Sequence, residues 1–219
     1  MIHSNERKRC LSGWLRKNSK TEYDTALKLQ KFLLLYECFS KAYGEKPDFE
    51  YLKGYKKGPV FSQVWGDYTK ERVTFDKVVD ESYSSKGQEI INEDRARKSA
   101  FIVQTLSENE LSELTHSMNL WKCKEKRILE GEHQVDLDEN DFNENDTKII
   151  DTLDKMYPIE LIENSSVVHI DSHYFIFNKN DRPKLTEQHF DTLSSLAEND
   201  QLFNPIYVEI DEEGRLIID

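Results

Sequence analysis

The sequence has few of the residues on which familiar metal and cofactor sites depend. It contains three cysteines, at positions 10, 38 and 123, and only eight glycines in 219 residues. No Cys-x-x-Cys pair occurs, which argues against a structural zinc site of the usual kind. Neither the P-loop pattern nor Gly-x-Gly-x-x-Gly occurs, so there is no recognisable phosphate-cradling loop. We therefore expect no metal and no cofactor.

Long apolar runs are also missing. No stretch approaches the 18 or so apolar residues that a membrane-spanning helix needs, so we expect no membrane association. The first residues carry Arg7, Lys8 and Arg9 with no apolar stretch after them, which does not fit a signal peptide. An odd number of widely spaced cysteines is typical of a reducing compartment. These features predict a cytoplasmic protein.

Basic residues are outnumbered. The chain has 30 Lys and Arg against 42 Asp and Glu, a net charge of -12, which disfavours a general nucleic-acid binder because phosphate repels such a chain. The charge is uneven, since residues 1–72 hold 15 basic and 9 acidic side chains. The basic third could contact nucleic acid through the residues around Trp14, or it could be a frayed, solvated start. Lys53, Lys56 and Lys57 alternate with tyrosines, a pattern that either binds nucleic acid or forms a solvated loop.

The acidic residues are concentrated between positions 130 and 163, where there are 12 of them and only two lysines. Such a stretch is either a solvated surface or a docking surface for a basic partner protein, because opposite charge speeds encounter and penalises wrong partners. The candidate partner-binding residues are Asp136, Asp138, Glu139, Asp141 and Glu144.

Apolar periodicity predicts a mainly helical chain. Residues 24–43 are apolar on nearly all sides, which is typical of a buried central helix. Further helices are predicted over residues 93–105 and 149–157. A capping box at Ser107 begins an amphipathic helix that passes through Trp121 and ends no later than Gly131. Its His116 is expected to hydrogen-bond a neighbouring element.

Two regions give weaker signals. Residues 49–52 alternate in polarity and predict a short strand, and the two glycines and proline of residues 53–59 predict a loop. Pro59 stands where a helix can begin, so a short helix is expected from there through Tyr68. Residues 73–88 show no clear period and end in a predicted turn at residues 84–87.

The last third differs in character. Residues 167–170 and 174–177 predict a β-hairpin, Thr186 predicts the start of a helix, and residues 206–210 and 216–218 predict a terminal hairpin. The fold class is therefore mainly α with a small C-terminal α+β module. We expect a helical domain over residues 1–163 and the small module over residues 164–219.

Three stretches, in order along the chain, resemble the Panacea family of SocA-like antitoxin domains. They are Leu-Lys-Leu-Gln-Lys-Phe-Leu-Leu-Leu-Tyr at residues 27–36, Tyr-Lys-Lys-Gly-Pro-Val at residues 55–60, and the Thr-His pair followed by tryptophan within residues 111–121. The resemblance covers about residues 20–160. The motif positions are Lys28, Gln30, Lys31, Tyr36, Gly58, Pro59, Val60, Trp65, Thr115, His116 and Trp121.

The chain also departs from the family pattern. Residues 73–107 are longer and more polar than expected, and a helix at residues 149–161 follows the Thr-His motif, although in the family a similar helix precedes it. Residues beyond about 165 match no recognised motif. These departures indicate a divergent member or a domain with an appended module.

The resemblance implies a mostly helical, non-catalytic domain that neutralises or regulates a toxin-like partner protein by direct binding. One member of the family delivers its toxin to a protease as an adaptor, so such a role is implied here as well. The alternative is a phage or prokaryotic regulator that contacts nucleic acid through residues 1–72. An enzyme whose site the sequence does not reveal is the third hypothesis.

Overall fold

The computed structural model describes residues 1–199 and 202–218. The α-helices in these ranges are α1 (Glu6–Asn18), α2 (Lys20–Asp24), α3 (Ala26–Ala42), α4 (Ser62–Lys70), α5 (Arg72–Ile90), α6 (Glu93–Thr105), α7 (Glu108–Ser117), α8 (Asn119–Lys122), α9 (Glu125–Leu129), α10 (Glu144–Met156), α11 (Ile159–Asn164) and α12 (Glu187–Ala197). The strands are β1 (Leu52–Tyr55), β2 (Gly58–Phe61), β3 (Val135–Asp136), β4 (Ser165–Ile170), β5 (His173–Asn178), β6 (Ile206–Ile210) and β7 (Leu216–Ile218). The predicted fold class, mainly α with a small C-terminal α+β module, is confirmed.

Helix α3 lies at the centre of the molecule, as its apolar circumference predicts. Every residue from 28 to 40 is buried, and α1, α6, α7 and α10 pack around it. One of its buried polar residues, Glu37, is matched by two cations. Glu37 accepts hydrogen bonds from Lys8 Nζ at 2.6 Å and from Arg7 Nη2 at 2.6 Å, so its buried charge is compensated.

The predicted loop at residues 53–59 and the helix start at Pro59 are both wrong. β1 and β2 form an antiparallel hairpin in which Leu52 lies opposite Phe61, and β3 pairs with the other edge of β1. Gly58 makes the tight turn possible, because its φ of 103° is unfavourable for other residues. Pro59 is tolerated because β2 is an edge strand. Helix α4 begins only at Ser62.

Residues 73–88, predicted to be aperiodic with a turn at residues 84–87, instead form most of the long helix α5. Its buried positions include small and polar residues such as Ser82 and Gly87, which blur the apolar period. Helix α5 packs along α1. The chain start is therefore not frayed: α1 is capped by the Asn5 side chain and buries Leu11, Trp14 and Leu15.

The single helix predicted from Ser107 through Trp121 is interrupted. The capping box at Ser107 is present, but α7 ends at Ser117 and Met118 is extended. The cause is tertiary, because the buried Asp146 carboxylate accepts hydrogen bonds from the backbone N–H groups of Asn119 at 2.5 Å and Leu120 at 3.0 Å. It thereby satisfies the free donors at the start of α8.

The C-terminal sheet has the strand order β4-β5-β6-β7, in which only β5 and β6 are parallel. Both predicted hairpins and the Thr186-capped helix α12 are confirmed. This sheet has its own small core around Phe175, while Ile176 packs into the large core of the helical body. None of the helices within the described ranges is both long and apolar enough to cross a membrane.

Candidate functional site

The three motif stretches meet at one buried ammonium group, that of Lys31 on α3. Lys31 is only 1% exposed to solvent. Lys31 Nζ donates hydrogen bonds to the Lys57 carbonyl and to Thr115 Oγ1, each at 2.7 Å. Each stretch thus supplies one member of the contact: α3 the donor, the β1–β2 turn one acceptor, and α7 the other.

The residues around the Lys31 ammonium group pack tightly against it. Thr115 Oγ1 lies 3.1 Å from the Leu111 carbonyl and 3.0 Å from the Ser112 carbonyl, so its hydrogen is directed to the helix and its oxygen accepts from Lys31. A Cβ on Gly58 would lie 2.1 Å from Lys31 Nζ and 2.6 Å from Thr115 Oγ1. Only glycine leaves room for the lysine at this point of the turn.

Burial changes the protonation of this cluster. It lowers the pKa of Lys31 to about 7, because a charged amine loses its hydration in the protein interior. Burial, and then the nearby Lys31 charge, also lower the pKa of His116. The His116 ring stacks on Trp121 with centroids 3.9 Å apart, and Trp121 Nε1 donates to the Tyr55 carbonyl at 2.9 Å. Trp121 thus ties α8 to the hairpin.

The motif glutamine holds the hairpin against the central helix. Gln30 Oε1 accepts a hydrogen bond from the Phe61 backbone N–H at 2.8 Å. Because a backbone N–H can only donate, this contact fixes which end of the amide is the oxygen. The Gln30 NH₂ group has no acceptor in the part of the chain that the structure describes, and the residue is 2% exposed.

A cavity of about 590 Å³ opens beside Lys31, between the start of α3, the β1–β2 hairpin and α4. Its inner end includes the buried Gln30 and Lys31, and its mouth includes the exposed Lys56, Lys57 and Glu108. The walls are mostly apolar. Among the wall residues are Ala26, Leu27, Pro59, Val60 and Trp65.

Six of the eleven motif positions do not line this cavity, and two of them, Lys28 and Tyr36, contact other elements. Lys28 lies against the C-terminal sheet, where its Nζ is 4.5 Å from the centroid of the Tyr174 ring. The Tyr36 hydroxyl accepts a hydrogen bond from the Asn92 backbone N–H at 2.9 Å and so holds the start of α6. These two residues connect elements and do not border the cavity.

The predicted acidic partner-binding residues are largely used within the chain. Asp136 forms an ion pair with Lys53, and Glu139 forms one with Lys41. Asp141 pairs with Lys124 at 2.9 Å. The Asp138 side chain caps the 3-10 helix at Glu139–Asp141. Glu144 is exposed in the first turn of α10. This stretch therefore presents less free negative charge than its composition indicates.

In the basic first third, seven of the fifteen arginines and lysines form ion pairs with carboxylates. Arg7 and Lys8 contact Glu37. Arg16 pairs with Asp80, and Arg72 pairs with Asp24 at 2.5 Å. Lys56 and Lys57 are the exposed lysines that border the cavity.

Five of the eleven motif positions line the cavity, but the motifs did not predict the cavity itself. Leu27 and Glu108 line it, yet the sequence placed the first in the helix pattern and the second in a capping box. The lysine and tyrosine alternation around Lys56 was the available signal. It could not indicate a cavity while residues 53–59 were interpreted as a loop and not as a hairpin packed on α3.

Within residues 1–199 and 202–218, no group of three or more His, Cys, Asp or Glu side chains is placed to hold a metal ion. Comparisons with protein-family models, with curated proteins and with solved structures find no match to this chain.

Proposed function

We propose that this chain is a non-catalytic protein-binding module whose cavity between α3, the β1–β2 hairpin and α4 docks a segment of a partner protein. The observation that carries the proposal is the apolar cavity together with the large aromatic side chain exposed in its wall. Trp65, which lines the cavity, is 43% exposed. An exposed tryptophan in the wall of a pocket is typical of binding hot spots.

The chemistry of the cavity defines the docking segment. Its walls favour an apolar side chain, and Lys56 and Lys57 at its mouth favour acidic residues next to that side chain. A basic partner, expected from the acidic stretch, has less support because three of the five candidate partner-binding carboxylates already pair with lysines. The partner's overall charge matters less here than the character of the segment it inserts.

The resemblance to the Panacea family supplies the biological setting of the proposal. The partner is a toxin-like protein in the cytoplasm, which this chain neutralises by direct binding or presents to a protease as an adaptor. The nucleic-acid alternative has weaker support, because seven of the fifteen arginines and lysines of the first third already form ion pairs with carboxylates of the same chain.

The test begins with isolation of the complex. The tagged chain, expressed in its own host, is expected to retain a partner at fixed stoichiometry and to relieve growth inhibition by that partner. Trp65→Ala is expected to weaken the complex by roughly tenfold or more, as loss of a hot-spot aromatic does.

Val73→Ala is the matched control, because Val73 is an apolar residue 72% exposed that does not line the cavity. It is expected to bind as the wild type does. Failure to retain any partner, or equal weakening by both variants, would contradict the proposal.

A further inference from the structure

We infer that the segment which enters the cavity is the C-terminal end of a polypeptide, whose free carboxylate binds Lys31 Nζ and the Gln30 NH₂ group. The last side chain of that polypeptide is apolar and lies against walls such as Leu27 and Trp65. This inference rests on the proposed function and adds the class of segment that is recognised.

Lys31 has a donor to spare. A protonated lysine carries three N–H donors. Two of them reach the Lys57 carbonyl and Thr115 Oγ1, and the third has no acceptor among residues 1–199 and 202–218. An acceptor inside the cavity completes the set. A negatively charged acceptor also offsets the cost of burying the ammonium, which a neutral carbonyl does only weakly.

Gln30 provides a second donor that lines the same cavity. Its oxygen is occupied by the Phe61 N–H, so the NH₂ end is the part left for a ligand. Gln30 and Lys31 are adjacent on α3 and both line the cavity. Two donors that line one apolar cavity suit the two oxygens of a carboxylate, each of which accepts hydrogen bonds.

The burial of these donors favours a chain end over a side-chain carboxylate. Lys31 and Gln30 are 1% and 2% exposed, so the carboxylate must reach the inner end of the cavity. A terminus enters with one strand of backbone. An internal Asp or Glu brings backbone on both sides, whose amide groups lose their hydration against the apolar walls. The volume of about 590 Å³ lies in the range that accommodates a few residues and not a folded element.

The mouth of the cavity restricts the residues that precede the terminus. Lys56 and Lys57 favour acidic side chains there. Glu108 also lines the cavity, and its carboxylate disfavours a negative charge placed beside it. The recognised tail therefore combines an apolar last residue with acidic residues upstream.

The experiment uses the full chain and displayed random octapeptides with free C-termini. Peptides enriched by the wild type are synthesised as free acids and as C-terminal amides, and their affinities are measured by fluorescence polarisation. Free acids are expected to bind, and amidation is expected to weaken binding by roughly tenfold or more, the loss expected for a charged hydrogen bond.

Two variants and a control locate the carboxylate. Gln30→Glu keeps an oxygen for the Phe61 N–H but places a negative charge at the inner end, so it is expected to abolish the preference for the acid. Lys31→Met is expected to do the same, and Gln30→Glu carries the test if Lys31→Met does not fold. Lys46→Met removes one positive charge from an exposed position outside the cavity and is expected to have no effect.

Three results would overturn the inference: no enriched peptide, amides that bind as well as acids, or an acid preference that survives Gln30→Glu. Amides that bind but lose affinity in Trp65→Ala would refute carboxylate recognition while leaving the protein-docking proposal intact. That proposal fails separately, when no native partner is retained by the tagged chain.

Discussion

Lys31 is the residue on which the site depends, and its burial is costly. A buried cation on α3 is tolerated because the Lys57 carbonyl and Thr115 Oγ1 accept the hydrogen bonds that water would otherwise accept. The charged groups around it are Lys56, Lys57 and Glu108 along the cavity and His116 on α7. Lys56 and Lys57 are positively charged and His116 can become so, and a neighbouring positive charge disfavours a charged lysine. These groups therefore do not raise the pKa of Lys31 back to its usual value.

The first prediction concerns pH. The pKa of Lys31 is about 7 in the folded chain, whereas an unfolded lysine has a pKa near 10.4. Between these values the unfolded state binds more protons, so the contribution of Lys31 to stability rises with pH. Below about pH 7 both states are protonated and the contribution is constant.

The measurement compares wild type with Lys31→Met in urea at several pH values. The free energy of unfolding of the wild type is expected to rise relative to that of the variant by about 2 kcal/mol between pH 6.5 and 9. Subtracting the free energy of unfolding of the variant from that of the wild type cancels the contribution of the other titrating groups, which both proteins share. A difference that stays constant over this range would show that Lys31 keeps an ordinary pKa.

The second prediction concerns Glu37, the buried partner of two cations. Replacing Glu37 with glutamine leaves Arg7 and Lys8 without their shared carboxylate, and breaking a buried ion pair in this way costs about 3 kcal/mol. Urea unfolding of Glu37→Gln measures the loss. Glu50→Gln, at an exposed position, is the control and is expected to change little. Equal stability of the two variants would contradict this account.

At the scale of elements, the β1–β2 hairpin shapes the cavity and brings the Lys57 carbonyl to Lys31. Its turn depends on Gly58, for which both conformation and space exclude a side chain. The sequence indicated a break here, since Gly and Pro are strong turn signals. It could not indicate that the residues on both sides pair as strands, because that pairing is set by packing on α3.

The third prediction separates these two requirements at Gly58. Gly131 has a similar φ of 94°, but a Cβ there would meet nothing within 4 Å. Gly131→Ala is therefore expected to cost only backbone strain, about 1 kcal/mol. Gly58→Ala adds the clash with Lys31 Nζ, and we expect it to cost roughly 2 kcal/mol more. Chemical denaturation measures the free energy of unfolding of both variants. Equal losses of this free energy would contradict the close contact between position 58 and Lys31 Nζ.

Other elements show the same division between local and tertiary signals. Helices α3 and α10 follow from apolar periodicity, α12 from its cap at Thr186, and both C-terminal hairpins from β-rich segments joined by turns, and all of them were predicted. Helix α5 was missed because its buried face includes Ser82 and Gly87. The break before α8 was missed because the group that causes it, Asp146, lies 26 residues from Leu120.

At the scale of the whole molecule, the C-terminal module is docked on the helical body by specific contacts. Lys28 Nζ lies 3.1 Å from the Tyr174 hydroxyl, and Asn204 Nδ2 donates to Glu110 Oε2 at 3.0 Å. Ile176 joins the core of the body. The sequence shows a change of composition near residue 163, but it does not show these docking contacts.

The fourth prediction follows from this docking. All three tryptophans, Trp14, Trp65 and Trp121, lie in the body, so their fluorescence reports the body alone, whereas far-ultraviolet circular dichroism reports the whole chain. We expect the two signals to change in a single coincident transition during unfolding. Tyr174→Ala, which removes the contact with Lys28, is expected to shift that transition to lower denaturant. Two separate transitions in the wild type would show that the module and the body are not coupled.

The central claim is that the cavity, and not the acidic stretch, receives the partner. Hydrogen–deuterium exchange of the full chain, alone and bound to the partner it retains, tests this most directly. The account predicts that binding slows exchange in the β1–β2 turn and helix α4, at residues 55–70, and leaves residues 132–144 unchanged. Protection of residues 132–144, with none at residues 55–70, would contradict it.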